Sequence, residues 1–436
     1  LTLSIMNLKT RLIIMNFLEF AVWGAYLTCM GIYLGKTANI GNTIGLFYAM
    51  QGIVSIFMPA IIGVVADKWI PAQKMLGICH LLAGTFMFSA TSYALLNAGE
   101  IEFAPLFLFY SLSVAFYMPT LALSNSVAFN ALTRSGHDTV KAFPPIRVFG
   151  TIGFIVTMWA VDLLDFESTP YQFAVSGLLS VILGIYSFSL PACPVRTGKE
   201  DGPLSISKVF GLDAFRLFRD KQMAIFFVFS MLLGVSLQIT NGFATPYIDS
   251  FSAIDTYMDS FGVRYPVVLY SLSQISETAC ILLIPFFMRR YGIKNVMLIA
   301  MFAWFFRFGL LGYGSPAMPG LILFILSMII YGVAFDFFNI SGALFVDKNT
   351  TPEIRSSAQG LFMLMTNGIG ATLGSLGAQA IVSTFTHSQA VETAQGTVFY
   401  TVGDWRTCWT IFAVYALIVG ILFAIIFSPK KENINA

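Results

Sequence analysis

Five ionisable residues lie inside long apolar runs of this sequence. They are Glu19, Arg147, Glu277, Arg307 and Asp336. A charge at the centre of a lipid bilayer costs about 3 kcal/mol or more, so each of these residues is a candidate functional group. If all five ionise, three negative charges meet two positive ones and the interior carries a net charge of −1. The excess carboxylate is a place where a proton can bind.

Polar and aromatic residues near these charges recur at helical spacing. Residues three, four or seven positions apart lie on one face of a helix. The groups on shared faces are Arg147, Thr151 and Phe154; Gln238 and Asn241; Gln274 and Glu277; and Tyr331 and Phe335, with Asp336 beside them. Aromatic faces stack flat rings, and amides and carboxylates bond polar edges. The pattern predicts a midplane site for a solute with a flat ring and many hydroxyl or amide groups.

Structural roles compete with this functional interpretation. Amides such as Gln238, Asn241 and Gln274 also bond neighbouring membrane helices to each other. Glu19 is either a proton-coupling acid or a buried hydrogen-bonding group. His80 has no acid partner near it in the sequence, so we predict no proton relay there.

The apolar runs that hold these residues are long enough to cross a membrane. The chain of 436 residues is 57% hydrophobic and 11% charged, whereas about a quarter of the residues of a soluble protein are charged. A helix needs about 20 apolar residues to cross the hydrocarbon core. The sequence therefore predicts an all-α membrane protein with twelve spans. They lie near 11–35, 43–66, 74–97, 103–131, 145–161, 171–192, 223–248, 266–288, 296–314, 319–346, 357–385 and 406–428.

The connecting segments predict the orientation and the domains. Most of their Lys and Arg residues fall on one side, which predicts both termini in the cytoplasm. We expect an N-terminal six-helix bundle over 6–193, a cytoplasmic linker over 194–222, a C-terminal six-helix bundle over 223–429 and a tail over 430–436. Apolar residues recur every three positions in the linker among basic ones, which predicts an amphipathic helix on the membrane surface. It is either a tether or a switch that binds lipid or a partner.

Several other classes of protein are disfavoured. A net charge of +2 does not suggest a nucleic-acid partner, and the five cysteines show no CxxC or Cys/His ligand spacing, so no metal, disulfide or other cofactor is expected. The chain has no GxxxxGK[ST] motif for ATP. It also has no nucleophile and base at usable spacing, so we predict that it is not an enzyme.

Two loops resemble the signature loop of the major facilitator superfamily, G-x-x-x-D-R-x-G-R-K. They are GVVADKWIPAQK at 63–74 and PFFMRRYGIK at 285–294. The resemblance implies two pseudo-symmetric six-helix halves that rock about a central site. It also implies a gating role for Asp67, which would brace helix ends. Arg307 falls on the ninth helix, which is peripheral in that superfamily, so its expected role is structural.

Longer strings resemble the bacterial nucleoside:proton symporters of this superfamily. They are FPPIRVFGTIGF at 143–154, MAIFFVFSMLLGVSLQITN at 223–241, SQISET at 273–278, IPFFMRRYGIKNVM at 284–297 and AFDFFNISG at 334–342. The resemblance implies import of purine and pyrimidine nucleosides with protons, across the inner membrane of a bacterial cell. The implied partners are a nucleoside, a proton and the lipid bilayer, and the expected state is a monomer.

The resemblance also implies roles for individual residues. The implied substrate-binding residues are Arg147, Thr151, Phe154, Gln238, Asn241, Gln274, Glu277, Tyr331, Phe335 and Asp336. The implied proton-coupling acids are Asp336, Glu277 and Glu19. Glu19 stands where the family is expected to have Gln, which leaves the number of protons per cycle open.

Two alternative functions remain at this point. The first keeps proton-coupled import and changes the solute to a sugar, a polyol or a free nucleobase. The second is a non-transporting membrane receptor, which would bind its ligand without accumulating it. The short polar C-terminal segment KKENINA carries no signalling domain, so the sequence offers little for the receptor.

Overall fold

The computed structural model describes residues 7–193, 212–351, 354–393 and 396–427. Residues 194–211 of the predicted linker and the predicted tail at 430–436 lie outside the described residues. The part of the linker that is described forms a short 3-10 helix, Leu212–Arg219. The rest of the described chain is mainly helical and forms two halves, before and after this linker.

The first half contains eight helices. They are α1 Leu8–Gly24, α2 Met30–Lys36, α3 Ile44–Lys68, α4 Ala72–Leu96, α5 Phe103–Tyr117, α6 Thr120–Arg134, α7 Thr139–Leu163 and α8 Tyr171–Ser187. Two of the predicted spans are therefore broken in the structure. The span predicted at 11–35 is divided by a turn into α1 and α2, and the span predicted at 103–131 is divided at Met118 and Pro119 into α5 and α6. Proline has no amide hydrogen and disturbs a continuing helix.

The described part of the second half contains six α-helices and one π-helix, besides a four-residue helix at Phe261–Arg264. They are α9 Lys221–Ser250, α10 Pro266–Tyr313, α11 Leu321–Lys348, α12 Arg355–Met363, the π-helix Leu364–Gly370, α13 Ala371–Phe385 and α14 Trp405–Ile426. Helix α10 has 48 residues, or about 70 Å at 1.5 Å per residue, more than twice the hydrocarbon thickness. Gly292 has a φ of 73° and breaks α10 into two limbs, which correspond to the two predicted spans.

The helix lengths are consistent with the predicted twelve spans. Within the described residues, nine continuous helical segments are long and apolar enough to cross a membrane, and α8 is a shorter apolar helix. One of the nine is α10, which supplies two spans because of its break. The pair α1 and α2 supplies the remaining one.

A β-hairpin, which the sequence did not lead us to predict, joins α13 to α14. Its strands, β1 Thr386–Thr393 and β2 Gly396–Gly403, pair antiparallel. The hairpin belongs to the second half but touches the first. Ser388 donates a hydrogen bond to Asn39 Oδ1 at 3.2 Å, and the Lys36 ammonium lies 5.4 Å from the centre of the Tyr400 ring.

The two halves meet at the end of the bundle remote from the chain termini. There, Lys36 of α2 forms an ion pair of 2.7 Å with Asp249 of α9. The amide of Val268 donates to Asp162 Oδ2 at 2.7 Å, and the amide of Gly45 donates to the side chain of Gln379, also at 2.7 Å. These contacts between the halves close the bundle at this end.

Small residues bring α1 and α7 into close contact and fix their register. A Cβ atom at Gly24 would collide with the backbone of Phe154, and one at Gly153 would collide with the carbonyl of Phe17. Small residues commonly let membrane helices approach this closely. The contact places the side chain of Phe20 on α1 against Arg147 on α7.

Candidate functional site

Three helices of the second half bury polar side chains whose oxygens have no partner. Gln238 lies on α9, Gln274 on the first limb of α10 and Asp336 on α11. Their relative exposures are 7%, 7% and 5%. Within the described residues, no hydrogen bond reaches Gln238 Oε1, Gln274 Oε1 or Asp336 Oδ2. An unsatisfied buried polar group costs about 1–3 kcal/mol, so these atoms are suited to bind a polar ligand.

Two aromatic rings stack on α11, the helix that carries Asp336. The rings of Tyr331 and Phe335 have centroids 5.7 Å apart and are 10° from parallel, as their spacing of four residues predicts. Trp304 packs edge-on against Tyr331 at 5.9 Å. Tyr331 is buried, whereas Phe335 is only partly buried. The stack offers an aromatic face on the same helix that carries Asp336.

The acids of the second half face an arginine of the first. Glu277 and Asp336 influence each other electrostatically, and Arg147 is the principal positive charge acting on Glu277. Arg147 forms no direct ion pair within the described residues. Its guanidinium lies 3.8 Å from the centre of the Phe20 ring, a cation–π contact that fixes its position. Arg147 thus stands between the halves with its charge unpaired.

Aromatic residues of the first half continue the site from Arg147. Phe154 is 8% exposed and packs edge-on against Trp23 at 6.3 Å. The indole nitrogen of Trp23 donates to Gln51 Oε1 at 3.2 Å. Thr151 is half-buried on α7 between Arg147 and Phe154.

The side chain of Asn241 is contacted by a tyrosine hydroxyl. The Tyr270 hydroxyl lies 3.5 Å from Asn241 Oδ1, at the long end of the hydrogen-bond range, and donates toward it. Asn241 is 8% exposed. It lies one turn beyond Gln238 on α9, so the two amides follow each other along that helix.

Glu19 is not part of this group of residues. It is fully buried on α1, and both carboxylate oxygens have partners in the first half. Glu19 Oε2 lies 2.9 Å from His80 Nε2, and Thr120 Oγ1 donates to Oε1 at 2.6 Å. The expectation that His80 lacks an acid partner is therefore wrong. The partner was missed because Glu19 and His80 lie on different helices, 61 positions apart.

Asp67 lies in the last turn of α3. Its side chain is outside the described part of the structure, so its bracing role stays a prediction.

Phe20 and Trp23 are site neighbours that the sequence analysis did not include, and Arg307 is one to which it gave only a structural role. Phe20 holds Arg147, Trp23 packs on Phe154, and Arg307 lies over Tyr331. Phe20 and Trp23 lie one and four positions after Glu19, so the helical face next to that acid was a usable signal. No local pattern linked Arg307 to Tyr331.

The described residues contain no group of His, Cys, Asp or Glu that could hold a metal ion. The five cysteines are free and buried. The buried polar groups are suited to binding a polar ligand.

The fold and the central site define a carrier of the major facilitator superfamily. A solved structure of the POT family transporter PepTSo is only 12% identical but superposes with a TM-score of 0.68, covering 96% of this chain and 97% of that one. At this identity the likeness shows the fold alone. The family model for nucleoside H+ symporters matches residues 6–432, so the chain belongs to that family.

Relatives of known name agree with this assignment. The nucleoside permease NupG of Escherichia coli is 44% identical over 98% of both chains. The xanthosine permease of the same organism is also 44% identical, covering 96% of this chain and 95% of its own. A crystal structure of NupG superposes with a TM-score of 0.84 at 43% identity, covering 98% of this chain and 100% of that chain.

Proposed function

We propose that this protein imports purine and pyrimidine nucleosides together with protons by alternating access. The observation that carries the proposal is the set of buried, unpaired oxygens on Gln238, Gln274 and Asp336, together with the stacked rings on the helix of Asp336. A nucleoside has a flat base for the rings and amino, carbonyl and hydroxyl groups for the polar atoms. Membership of the nucleoside H+ symporter family supports the same solute and the same coupling ion.

Each site residue has a role in this proposal. Gln238, Asn241, Gln274 and Glu277 bond the base and the ribose, and Tyr331, Phe335 and Phe154 stack against the base. Arg147 and Thr151 complete the site from α7. Arg147 is well placed for this because it is held by Phe20 and is not consumed in an ion pair.

Asp336 is the proposed proton carrier, and Glu277 is the acid next to it. Burial favours the protonated form of a carboxyl group, and a second acid nearby adds to this preference. Asp336 is 5% exposed, and Glu277 is the charge that acts on it. A proton that moves inward releases about 1.4 kcal/mol per pH unit and about 2.3 kcal/mol per 100 mV. Glu19 is a weaker candidate because its oxygens are already bonded to His80 and Thr120.

We place the protein in the inner membrane as a multi-pass monomer with both termini in the cytoplasm. In that orientation the closed end of the bundle is the outer one, and the site is reached from inside. The bundles at 6–193 and 223–429 then move as bodies about the site, joined by the linker at 194–222. Asp67 would brace the inner helix ends when that side closes.

The first experiment measures uptake of labelled uridine or adenosine by energised vesicles. Acidifying the outside should stimulate uptake, because inward proton flow drives the nucleoside, and a protonophore should abolish accumulation. Uptake that is unchanged by external acidification and by the protonophore would rule out proton coupling. Nucleoside binding without any accumulation would favour the receptor instead.

The second experiment tests the solute by competition. Unlabelled nucleosides should displace labelled uridine, whereas free ribose and free uracil, each offering only part of the contacts, should displace it weakly. If ribose or uracil competes as well as uridine does, the transported solute is a sugar or a free nucleobase.

A further inference from the structure

Arg307 lies on the second limb of α10, where it is fully buried. Its Nη1 donates to the Ser327 carbonyl at 2.8 Å and to Ser273 Oγ at 3.3 Å. Within the described residues, no acid forms an ion pair with it, and its Nε and Nη2 have no hydrogen-bond partner. A buried cation without a paired acid is strongly unfavourable. Two serines do not compensate for it, so the rest of its surroundings must.

Two tyrosine rings provide the remaining contacts of the guanidinium. Its central carbon lies 4.5 Å from the centre of the Tyr331 ring and 5.7 Å from the centre of the Tyr270 ring. Both distances are within the range of about 6 Å for a cation–π contact, which is strongest where water is excluded. Arg307 therefore joins the first limb of α10, which carries Tyr270, to α11, which carries Tyr331.

Each of these tyrosines touches a different residue of the proposed nucleoside site. Tyr331 stacks on Phe335, and the Tyr270 hydroxyl points to Asn241 Oδ1. Arg307 thus contacts the aromatic stack of the site directly through Tyr331. It reaches the Asn241 side chain on α9 through Tyr270. A residue on the second limb of α10 thus reaches two groups of the proposed substrate site.

We infer that Arg307 is a positioning residue of the nucleoside site, which orients the Tyr331–Phe335 stack directly and Asn241 through Tyr270. The inference deepens the proposed function and rests on it. A guanidinium is required rather than any cation, because its flat face stacks on a ring while its edge bonds the Ser327 carbonyl. Lysine has the charge but no flat face, so it replaces only part of the contact.

The test is a double-mutant cycle on nucleoside affinity, measured by calorimetry with uridine and the purified protein in detergent. Arg307→Met should weaken binding about tenfold, because Tyr331 loses the group that orients it. In the Tyr331→Leu background the same change should weaken binding by less than about twofold. Arg307→Lys should fall between parent and Arg307→Met. If Arg307→Met does not fold, the Lys variant and its cycle with Tyr331→Leu decide the question.

Arg406→Met is the matched control. Arg406 also lies over a tyrosine ring, that of Tyr313 at 5.0 Å, but it is exposed and lies at the start of α14, outside the site. Its removal should leave affinity at the parent value. Thermal unfolding of all variants separates affinity from stability.

Three results would overturn the inference. In the first, the Arg307 variants lose stability but their folded fraction binds like the parent. In the second, the effects of Arg307 and Tyr331 simply add. In the third, the Lys variant binds as tightly as the parent. If the parent itself binds no uridine, adenosine or xanthosine, the proposed function has failed; if the parent binds and the cycle is additive, only this inference has failed.

Discussion

Glu19 in the first half and Asp336 in the second are both buried acids, and their surroundings differ. Each oxygen of Glu19 has a partner, and the His80 ring that bonds it is fixed in turn by Ser180 at 2.9 Å. Asp336 keeps Oδ2 unpaired, and the amide oxygens of Gln238 and Gln274 are unpaired as well. A fully bonded acid holds helices together, whereas an incompletely bonded one retains capacity for a ligand or a proton.

This difference also changes the charge balance that the sequence suggested. When Glu19 is counted as an unpaired charge, the membrane interior holds three acids against two arginines, so one acid is in excess. Glu19 bonds His80 within the first half, so it is separate from the charges of the site. The remaining interior charges, Arg147 and Arg307 against Glu277 and Asp336, balance. We expect the coupled proton at the acids of the second half because Asp336 Oδ2 has no partner, whereas both oxygens of Glu19 do.

The largest expected effect is the difference in nucleoside accumulation between variants of Asp336 and of Glu19. Asp336→Asn should bind nucleoside but lose accumulation driven by a pH gradient, because its proton site is gone. Glu19→Gln should keep accumulation, since Gln preserves bonding to Thr120 and resembles the protonated acid. Uptake and counterflow by the reconstituted protein measure the two abilities separately. If Glu19→Gln abolishes accumulation and Asp336→Asn does not, the assignment of the carrier is reversed.

The second effect is on stability. His80→Leu should lower the free energy of unfolding by about 1–3 kcal/mol, because Glu19 Oε2 is left buried without a partner. The matched change Gln274→Leu should not destabilise the protein, since its Oε1 has no partner to lose. Thermal unfolding followed by tryptophan fluorescence gives both values. Adding Glu19→Leu to His80→Leu should recover part of the loss; no recovery would argue against the pair as its source.

The third effect is on nucleoside affinity. Here Gln274→Leu should have the larger effect and His80→Leu the smaller, the reverse of their order in stability. Gln274→Leu should weaken nucleoside binding about tenfold, the value of a hydrogen bond of about 1.4 kcal/mol. His80→Leu should change affinity by less than about twofold, because its contacts lie within the first half. Calorimetric titration of the purified variants provides the numbers. Equal losses of affinity in the two variants would contradict the assignment of Gln274 to substrate binding and of His80 to a structural contact.

The smallest effect concerns a third acid, Glu167, in the connection between α7 and α8 at the closed end. Burial raises the pKa of Glu167 to about 7, the Lys36 ammonium opposes this rise, and Asp249 adds to it. When the halves separate and the carboxyl meets water, its pKa should return toward 4.5. A group with a raised pKa in the closed state favours that state when protonated, below pH 7, and opposes it as the pH rises.

Between pH 6 and pH 8 the ratio of closed to open protein should therefore fall several-fold. Spin labels on Thr37→Cys and Ser388→Cys, exposed positions in opposite halves, report the separation by their distance distribution. Glu167→Gln should remove most of the pH dependence. A parent protein whose distance distribution is the same at pH 6 and pH 8 would refute this role of Glu167.

The sequence predicted features that depend on neighbours along one helix. The stacked pair Tyr331 and Phe335 is an example, because residues four apart must lie on one face. The two limbs of α10 are another, because 48 residues cannot stay straight within a bilayer. Membrane thickness and helical period are enough to fix such features.

Features that depend on partners distant in sequence were not predicted. The pairing of Glu19 with His80 and the contact of Arg307 with Tyr331 both join different helices, and nothing local marks them. The break between α1 and α2 was missed because the apolar run continues through it. The hairpin was missed because it is held by cross-strand pairs and by contacts with the first half rather than by an apolar face.

That hairpin suggests how transport could be inhibited at the closed end of the bundle. In the closed state, β1 reaches Asn39 and β2 brings Tyr400 over Lys36, so the hairpin joins both halves over that end. An antibody fragment that binds the hairpin and the Asn39 segment together would keep this end closed. It would do so without touching Gln274 or the aromatic stack. Such a reagent would lower the maximal rate of uptake and leave the apparent nucleoside affinity of the inner site unchanged, which is the pattern of a non-competitive inhibitor.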